Sequence, residues 1–180
     1  TVFKVPEGVS KLSQWTEFET ILPEGRCILN KKVTGCGATT YFLECQRPVI
    51  LCSHRLELLR NKAESPRHRG KVHIFGIGDQ TYHEKMEALR NYLISNYDPV
   101  TGFKVSCPKI LVTVDSIQHV LLAIGEMSGI QDFTVISDEM QCIFTDAPFK
   151  GDTVLQYLTH LSQVKNVIFL SATPYLELYL

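Results

Sequence analysis

Three short polar segments hold the side chains of this chain that could do chemistry. Residues 32–40 combine two glycines with three threonines, residues 138–139 are an Asp-Glu pair, and residues 171–173 read Ser-Ala-Thr. Each segment stands at the end of a short apolar run. Glycine-rich backbone with hydroxyl groups suits a phosphate, and neighbouring carboxylates suit Mg²⁺. Together the segments predict a site for a phosphate compound and its metal ion.

The glycine-rich segment is similar to the P-loop pattern Gly-x-x-x-x-Gly-Lys-[Ser/Thr], whose backbone amides cradle phosphates and whose hydroxyl binds Mg²⁺. Gly37 fits the second glycine and Thr39 the hydroxyl position, but Lys32 replaces the first glycine and Ala38 replaces the lysine. The alternative is that residues 35–40 form only a glycine-rich turn between a strand and a helix. We expect the phosphate contacts to come from Lys32, Thr34, Gly35, Cys36, Gly37, Ala38, Thr39 and Thr40.

The lysine that is missing at position 38 is the main departure from this pattern. A charge-assisted hydrogen bond contributes about 1.5–3 kcal/mol, so an unaided Ala38 loop should bind a triphosphate roughly ten- to hundred-fold more weakly. Lys32 can supply the charge instead, because the first and seventh loop positions both flank the phosphate cavity. Lys31 is a second candidate, but we expect its side chain to point to the other side of the chain, which favours Lys32.

Alternating apolar and amphipathic segments predict the elements that position these residues. Apolar runs predict strands at 26–30, 48–53, 71–76, 109–114, 133–138 and 166–171. Their apolar residues are contiguous, which is typical of strands buried on both faces of a parallel sheet. Helices are expected between them, with Ser53, Asp115 and Asp152 as N-caps. The predicted fold is a three-layer α/β domain with a mainly parallel sheet, in which ligands bind at the carboxyl ends of the strands.

The second and third segments resemble motifs of a known family. Asp138, Glu139 and Gln141 fit the Asp-Glu-x-His/Asp/Gln motif of superfamily 2 helicases, and Ser171-Ala172-Thr173 matches the Ser-Ala-Thr motif that follows it. The resemblance is to the first RecA-like domain of these helicases and of related DEAD-like ATPases, and it covers residues 26–174. Similar Gly-Ala-Thr-Thr loops occur in helicase-like proteins of phages and mobile elements.

This resemblance implies ATP and Mg²⁺ as cofactors and a role for each motif residue. Thr39 and Asp138 would bind Mg²⁺, and Glu139 with Gln141 would serve catalysis, Glu139 by polarising the attacking water. Ser171 and Thr173 would couple the nucleotide state to strand binding. In the family the strand of the third motif inserts between the strands of the P-loop and of the acidic pair, which would bring all three segments together.

The same resemblance implies a nucleic acid partner, with DNA favoured over RNA. Two segments that follow predicted strands occupy the places of the family's strand-contact motifs, and they would touch phosphates rather than base edges. The alternative for Ser53 and Asp115 is helix capping alone. The expected contact residues are Ser53, His54, Arg55, Thr113, Asp115 and Ser116.

Composition limits the remaining classes of protein. The net charge is −1, so a dedicated nucleic-acid-coating protein is not expected. The six cysteines form no Cys-x-x-Cys pair, so a zinc site is not expected either. Apolar runs are too short to span a bilayer, which predicts no membrane partner and a cytoplasmic, intracellular location.

The sequence therefore predicts the ATP-binding domain of a nucleic-acid-dependent helicase or translocase at residues 26–180, preceded by a segment at 1–25 that packs on the core. The chain stops just after the third motif, so we expect a second RecA-like domain downstream and weak or no ATP hydrolysis by this chain alone. The alternatives are a degenerate, non-hydrolysing P-loop scaffold or nucleic-acid-binding module, and a phage DNA-packaging ATPase. Some packaging ATPases (large terminase subunits) also carry the lysine at the start of the loop.

Overall fold

A parallel β-sheet forms the centre of the molecule. The computed structural model describes residues 6–31, 35–76, 78–98, 102–103, 107–127 and 129–171. Six strands form this sheet, namely β1 (Arg26–Asn30), β2 (Val49–Ser53), β3 (His73–Ile74), β6 (Lys109–Thr113), β7 (Thr134–Ser137) and β8 (Asn166–Ser171). A separate antiparallel pair joins β4 (Tyr97–Asp98) to β5 (Gly102–Phe103).

Helices precede the first strand of the sheet and connect the later strands. They are α1 (Phe18–Ile21), α2 (Ala38–Glu44), α3 (Leu56–Glu64), α4 (Tyr82–Ser95), α5 (Ile117–Gly125) and α6 (Gln141–Leu161), with short 3₁₀ turns at Leu12–Gln14, Val114–Ser116 and Ile130–Asp132. Thr81 begins α4 through a capping box with Glu84. No helix in the described part of the chain is both long and apolar enough to cross a membrane.

The order of the strands in the sheet is β1-β8-β7-β2-β6-β3, and every neighbouring pair is parallel. The expectation that β8 lies between β1 and β7 is confirmed. Asn30 of β1 is paired with Ser171 of β8, and Ser137 of β7 is paired with Phe169 of β8. The carboxyl ends of these three strands therefore meet at one edge of the sheet.

Two apolar layers cover the two faces of the sheet. One contains Met86 and Leu89 of α4, Ile117 and Val120 of α5 and Tyr157 of α6. The other contains residues of α2, α3 and the segment before β1, among them Leu12, Phe18, Phe42 and Leu59. Because alternate residues of the central strands enter opposite layers, these strands are buried on both faces. This three-layer α/β arrangement confirms the predicted fold class and is consistent with a RecA-like fold.

The predicted N-caps are wrong at three helices. Helix α6 begins at Gln141, so Asp152 lies inside it. Asp115 lies in the 3₁₀ turn that precedes α5, and the N-cap of α5 is Ser116, without a side-chain capping bond. Ser53 is the last residue of β2, and the N-cap of α3 is Arg55. The predicted starts of α3 and α5 are one or two residues too early. Helix α6 begins about three turns before the start that an Asp152 N-cap implies.

Candidate functional site

The acidic pair lies in a tight turn at the carboxyl end of β7. The backbone amide of Asp138 donates to the Cys52 carbonyl of β2 at 2.9 Å, and the amide of Met140 donates to the Leu170 carbonyl of β8 at 2.9 Å. Between them Glu139 adopts a left-handed conformation with a φ of 57°, which costs a non-glycine residue about 1 kcal/mol. Two neighbouring strands thus hold the turn, and its position follows from the sheet order.

Three side chains from separate segments converge on the carboxylate of Asp138. The Thr39 hydroxyl, in the first turn of α2, lies 3.3 Å from Oδ2. The Lys31 ammonium, just after β1, lies 2.8 Å from Oδ1, and the Lys62 ammonium, on α3, lies 3.9 Å from Oδ2. The Asp138 side chain is only 8% exposed. The structure thus brings Thr39 and Asp138 together, and it adds two cations to them.

Of the two lysines that the sequence offered for the loop, Lys31 lies within the described residues and reaches Asp138. The expectation that its side chain points to the other side of the chain is wrong. Its backbone amide donates to the Ser171 carbonyl at 2.7 Å, so the strand pairing continues one residue beyond β1. From there the side chain passes the end of β8 and reaches Asp138 at the end of β7. Lys32 and Thr34, the other loop residues named from the sequence before Gly35, lie outside the described residues.

Lys62 is a residue that the sequence reasoning did not assign to the site. A helical signal was present, because Lys62 follows the fully buried Leu59 by three positions and therefore shares its inward face. The Lys62 side chain is 27% exposed. Burial lowers the pKa of its ammonium group, and the nearby carboxylate of Asp138 opposes that shift.

The third segment contacts the acidic segment through side chains. The Ser171 hydroxyl donates to the amide oxygen of Gln141 at 3.3 Å, and Gln141 is the first residue of α6, three positions after Asp138. Ser171 is buried at the end of β8. Thr173 lies outside the described residues. The last residue of β8 and the first turn of α6 are therefore linked directly.

The remaining loop residues form the turn that leads into α2. Gly35 and Gly37 have φ values of 86° and 75°, which glycine adopts without strain. The Cys36 carbonyl accepts a hydrogen bond from the Leu12 amide at 3.0 Å. Ala38 is 2% exposed and belongs to the same apolar cluster as Phe42. A longer side chain at position 38 would therefore leave the backbone inside the apolar core. Thr40, the last of the named loop residues, lies in the first turn of α2.

The residues named for nucleic acid contact lie at the ends of two adjacent strands. Ser53 of β2 and Thr113 of β6 are paired across the sheet, so the segments 53–55 and 113–116 lie side by side. Arg55 and Asp115 are exposed, and His54 and Ser116 are partly buried. The Ser53 hydroxyl accepts from the Arg55 amide at 3.4 Å. These segments share the sheet edge at which Asp138 lies.

Thr39 and Asp138 fit a magnesium ion by their chemistry and spacing. Both offer oxygen atoms, which Mg²⁺ prefers, and adjacent ligands of its octahedral shell are about 3 Å apart. Their oxygen atoms are 3.3 Å apart. Across the described ranges no three His, Cys, Asp or Glu side chains cluster as they would in a metal site made by protein alone. Magnesium typically binds through one or two carboxylates together with substrate phosphates, which agrees with this sparse donor set.

No protein-family model and no curated protein matches this chain. The resemblance to a helicase domain therefore rests on the three segments and on the order in which the sheet arranges them.

Proposed function

We propose that this chain is the ATP·Mg²⁺-binding domain of a nucleic-acid-dependent helicase or translocase. The observation that supports it best is the convergence of Lys31 and Thr39 on Asp138, at strand ends that also bring Ser171 to Gln141. These contacts join the P-loop, the acidic motif and the third motif, which are far apart in the sequence. They also place a hydroxyl, a carboxylate and an ammonium group at one point, and these are the groups that bind Mg²⁺ and phosphate.

The residues of the site divide between metal, phosphate and water. Thr39 and Asp138 would hold Mg²⁺, which would neutralise phosphate charge when bound. Lys31 and the loop backbone at Gly35 and Gly37 would contact the phosphates, with Lys32 and Thr34 as further candidates. Glu139 stands beside Asp138 with a partly exposed side chain, and it would orient the attacking water and accept its proton.

The contact between Ser171 and Gln141 would couple the nucleotide to the nucleic acid. Gln141 follows the acidic pair and begins α6, so a change at Asp138 can reach β8 through this bond. A nucleic acid strand, with DNA favoured over RNA, would lie across the carboxyl ends of β2 and β6 and contact Arg55. We further propose that fast turnover requires a second RecA-like domain with an arginine finger, since such a finger contributes roughly 10³–10⁵ in rate.

Calorimetric titration of ATP-γ-S in the presence and absence of Mg²⁺ tests the nucleotide site. The wild-type protein should bind only with Mg²⁺, and Thr39→Val should weaken binding about ten-fold or more, because it removes a metal ligand. Thr159→Val is the matched control, since Thr159 is exposed and its hydroxyl donates to the Leu155 carbonyl within α6. A folded wild-type protein that binds no ATP-γ-S would refute the proposal.

Fluorescence anisotropy with a labelled single-stranded oligonucleotide tests the second partner. Arg55→Gln should weaken binding at low salt, because Arg55 is exposed at the end of β2. Lys165→Gln removes the same charge at the amino end of β8, on the opposite edge of the sheet, and should have little effect. Equal losses in the two variants would indicate only a general charge effect.

A degenerate P-loop scaffold is the second candidate, and the buried Ala38 favours it. Where the P-loop pattern has a lysine, this loop has the buried Ala38, so it lacks one source of phosphate affinity. This candidate predicts a folded wild-type protein that binds the oligonucleotide but not ATP-γ-S.

A further inference from the structure

Lys62 is the second cation beside the single carboxylate of Asp138. Its charge is repelled by that of Lys31 unless a further anion is bound nearby. Its ammonium lies 3.9 Å from Oδ2 of Asp138, the oxygen that Thr39 also approaches. The other oxygen, Oδ1, is already paired with Lys31 at 2.8 Å. One carboxylate thus stands between two ammonium groups, and Glu139 is the other anion that acts on Lys62.

The burial of the contact between Lys62 and Asp138 supports the same reading. The side chains of Lys62 and Asp138 are 27% and 8% exposed, so the contact is largely shielded from water. A lysine needed only to neutralise Asp138 would duplicate Lys31, which makes the shorter contact. The arrangement therefore holds positive charge ready for an anion that arrives at the site.

A cavity of about 300 Å³ lies beside Lys62, between α2 and α3. Its polar lining consists of Thr40, Asn61, Lys62, Ser65, Arg67 and His68. Arg67 is paired with Glu44 at 2.9 Å, so its charge is already balanced. Lys62 is the member of this lining that also reaches Asp138, and it joins the cavity to the candidate metal ligands.

We infer that Lys62 supplies, from α3, the phosphate-binding charge that the loop lacks at Ala38. This inference rests on the proposed nucleotide site and adds to it a residue from a separate element. In the free protein the ammonium stays near Asp138. If Asp138 held Mg²⁺, the ammonium group of Lys62, 3.9 Å from Oδ2, would lie beside the metal ion and could donate to a phosphate oxygen there. The phosphate group would then lie between the first turn of α2 and the inward face of α3.

The test compares ATP-γ-S and inorganic triphosphate, both with Mg²⁺, by calorimetry. Lys62→Gln should weaken both ligands about ten-fold or more, since a charge-assisted hydrogen bond to phosphate is lost. Lys62→Arg keeps the charge and should retain most of the affinity. Arg60→Gln is the matched control, because Arg60 lies on the same helix and its guanidinium pairs with Glu57 at 2.7 Å.

Four outcomes decide the matter. Equal losses for ATP-γ-S and triphosphate in Lys62→Gln, with Arg60→Gln unchanged, would support the inference. Wild-type affinity in a folded Lys62→Gln protein, or an equal loss in Arg60→Gln, would overturn it and leave the nucleotide site in place. A wild-type protein that binds neither ligand would overturn the proposed function itself. Lys62→Met, which keeps the apolar stem, repeats the comparison if Lys62→Gln does not fold.

Discussion

Replacing Asp138 by asparagine should destabilise this protein strongly. Here Asp138 is the anion between the ammonium groups of Lys31 and Lys62, at 2.8 and 3.9 Å. Asp138→Asn would leave both cations facing a neutral amide in a site that is largely closed to water.

The burial of the Lys31–Asp138 ion pair determines how much stability Asp138→Asn should remove. The side chains of Lys31 and Asp138 are 14% and 8% exposed, so this ion pair is mostly buried. Removing one partner of a buried pair costs about 3–5 kcal/mol. Asparagine keeps the shape and can still accept hydrogen bonds from Lys31 and Thr39, which favours the lower end, about 3 kcal/mol. For a domain of this size that corresponds to a fall in Tm of about 6–12 °C.

Urea unfolding followed by circular dichroism measures this effect. Glu139→Gln is the control, because Glu139 is partly exposed at the neighbouring position and its loss should change stability by no more than about 0.5 kcal/mol. The double variant of Lys31→Met with Asp138→Asn should recover about 1–3 kcal/mol relative to the sum of the single effects. Wild-type stability in Asp138→Asn, or strict additivity in the double variant, would show that this ion pair does not hold the site.

Two further predictions concern other parts of the fold. Ala38→Lys should destabilise the protein by about 2 kcal/mol and not restore a phosphate-binding lysine, because Ala38 is 2% exposed in an apolar cluster. Gln46→Lys is the control in the same unfolding experiment, because Gln46 is exposed. His73 is packed against Tyr92 with ring centroids 5.1 Å apart, and burial lowers the pKa of its imidazole. The unfolded chain therefore takes up a proton more readily, so the wild-type protein should lose more stability than His73→Phe as the pH falls below about 6.5. Identical pH profiles for the two proteins would contradict this reasoning.

The architecture could be predicted because it depends on patterns that the sequence displays directly. Contiguous apolar runs gave β1 and β8 with the observed bounds, and the other strands of the main sheet within one or two residues of each end. The position of β8 between β1 and β7 was predicted from the family resemblance, because no residue pattern in β8 indicates its neighbours in the sheet. The start of α6 was missed because Asp152 is a good capping residue in isolation, whereas the turn after Glu139 already begins the helix at Gln141.

The cations of the site could not be predicted from position in the loop pattern. Strand alternation fixes the direction in which a Cα–Cβ bond leaves the backbone, but a lysine has three further methylene groups beyond Cβ. At the end of β1 the Lys31 side chain is no longer confined by the faces of the sheet, and it crosses the end of β8 to the acid on β7. The alternation argument against Lys31 therefore applied to its Cβ and not to its ammonium group.

The contact between Lys62 and Asp138 illustrates a different limit. It joins two segments that are far apart in the sequence, so no local pattern contains it. Helical spacing from Leu59 turns it inward, but Asp138 is reached only because β2, which leads into α3, lies next to β7 in the sheet. The contact between Lys62 and Asp138 therefore depends on the order of the strands in the sheet.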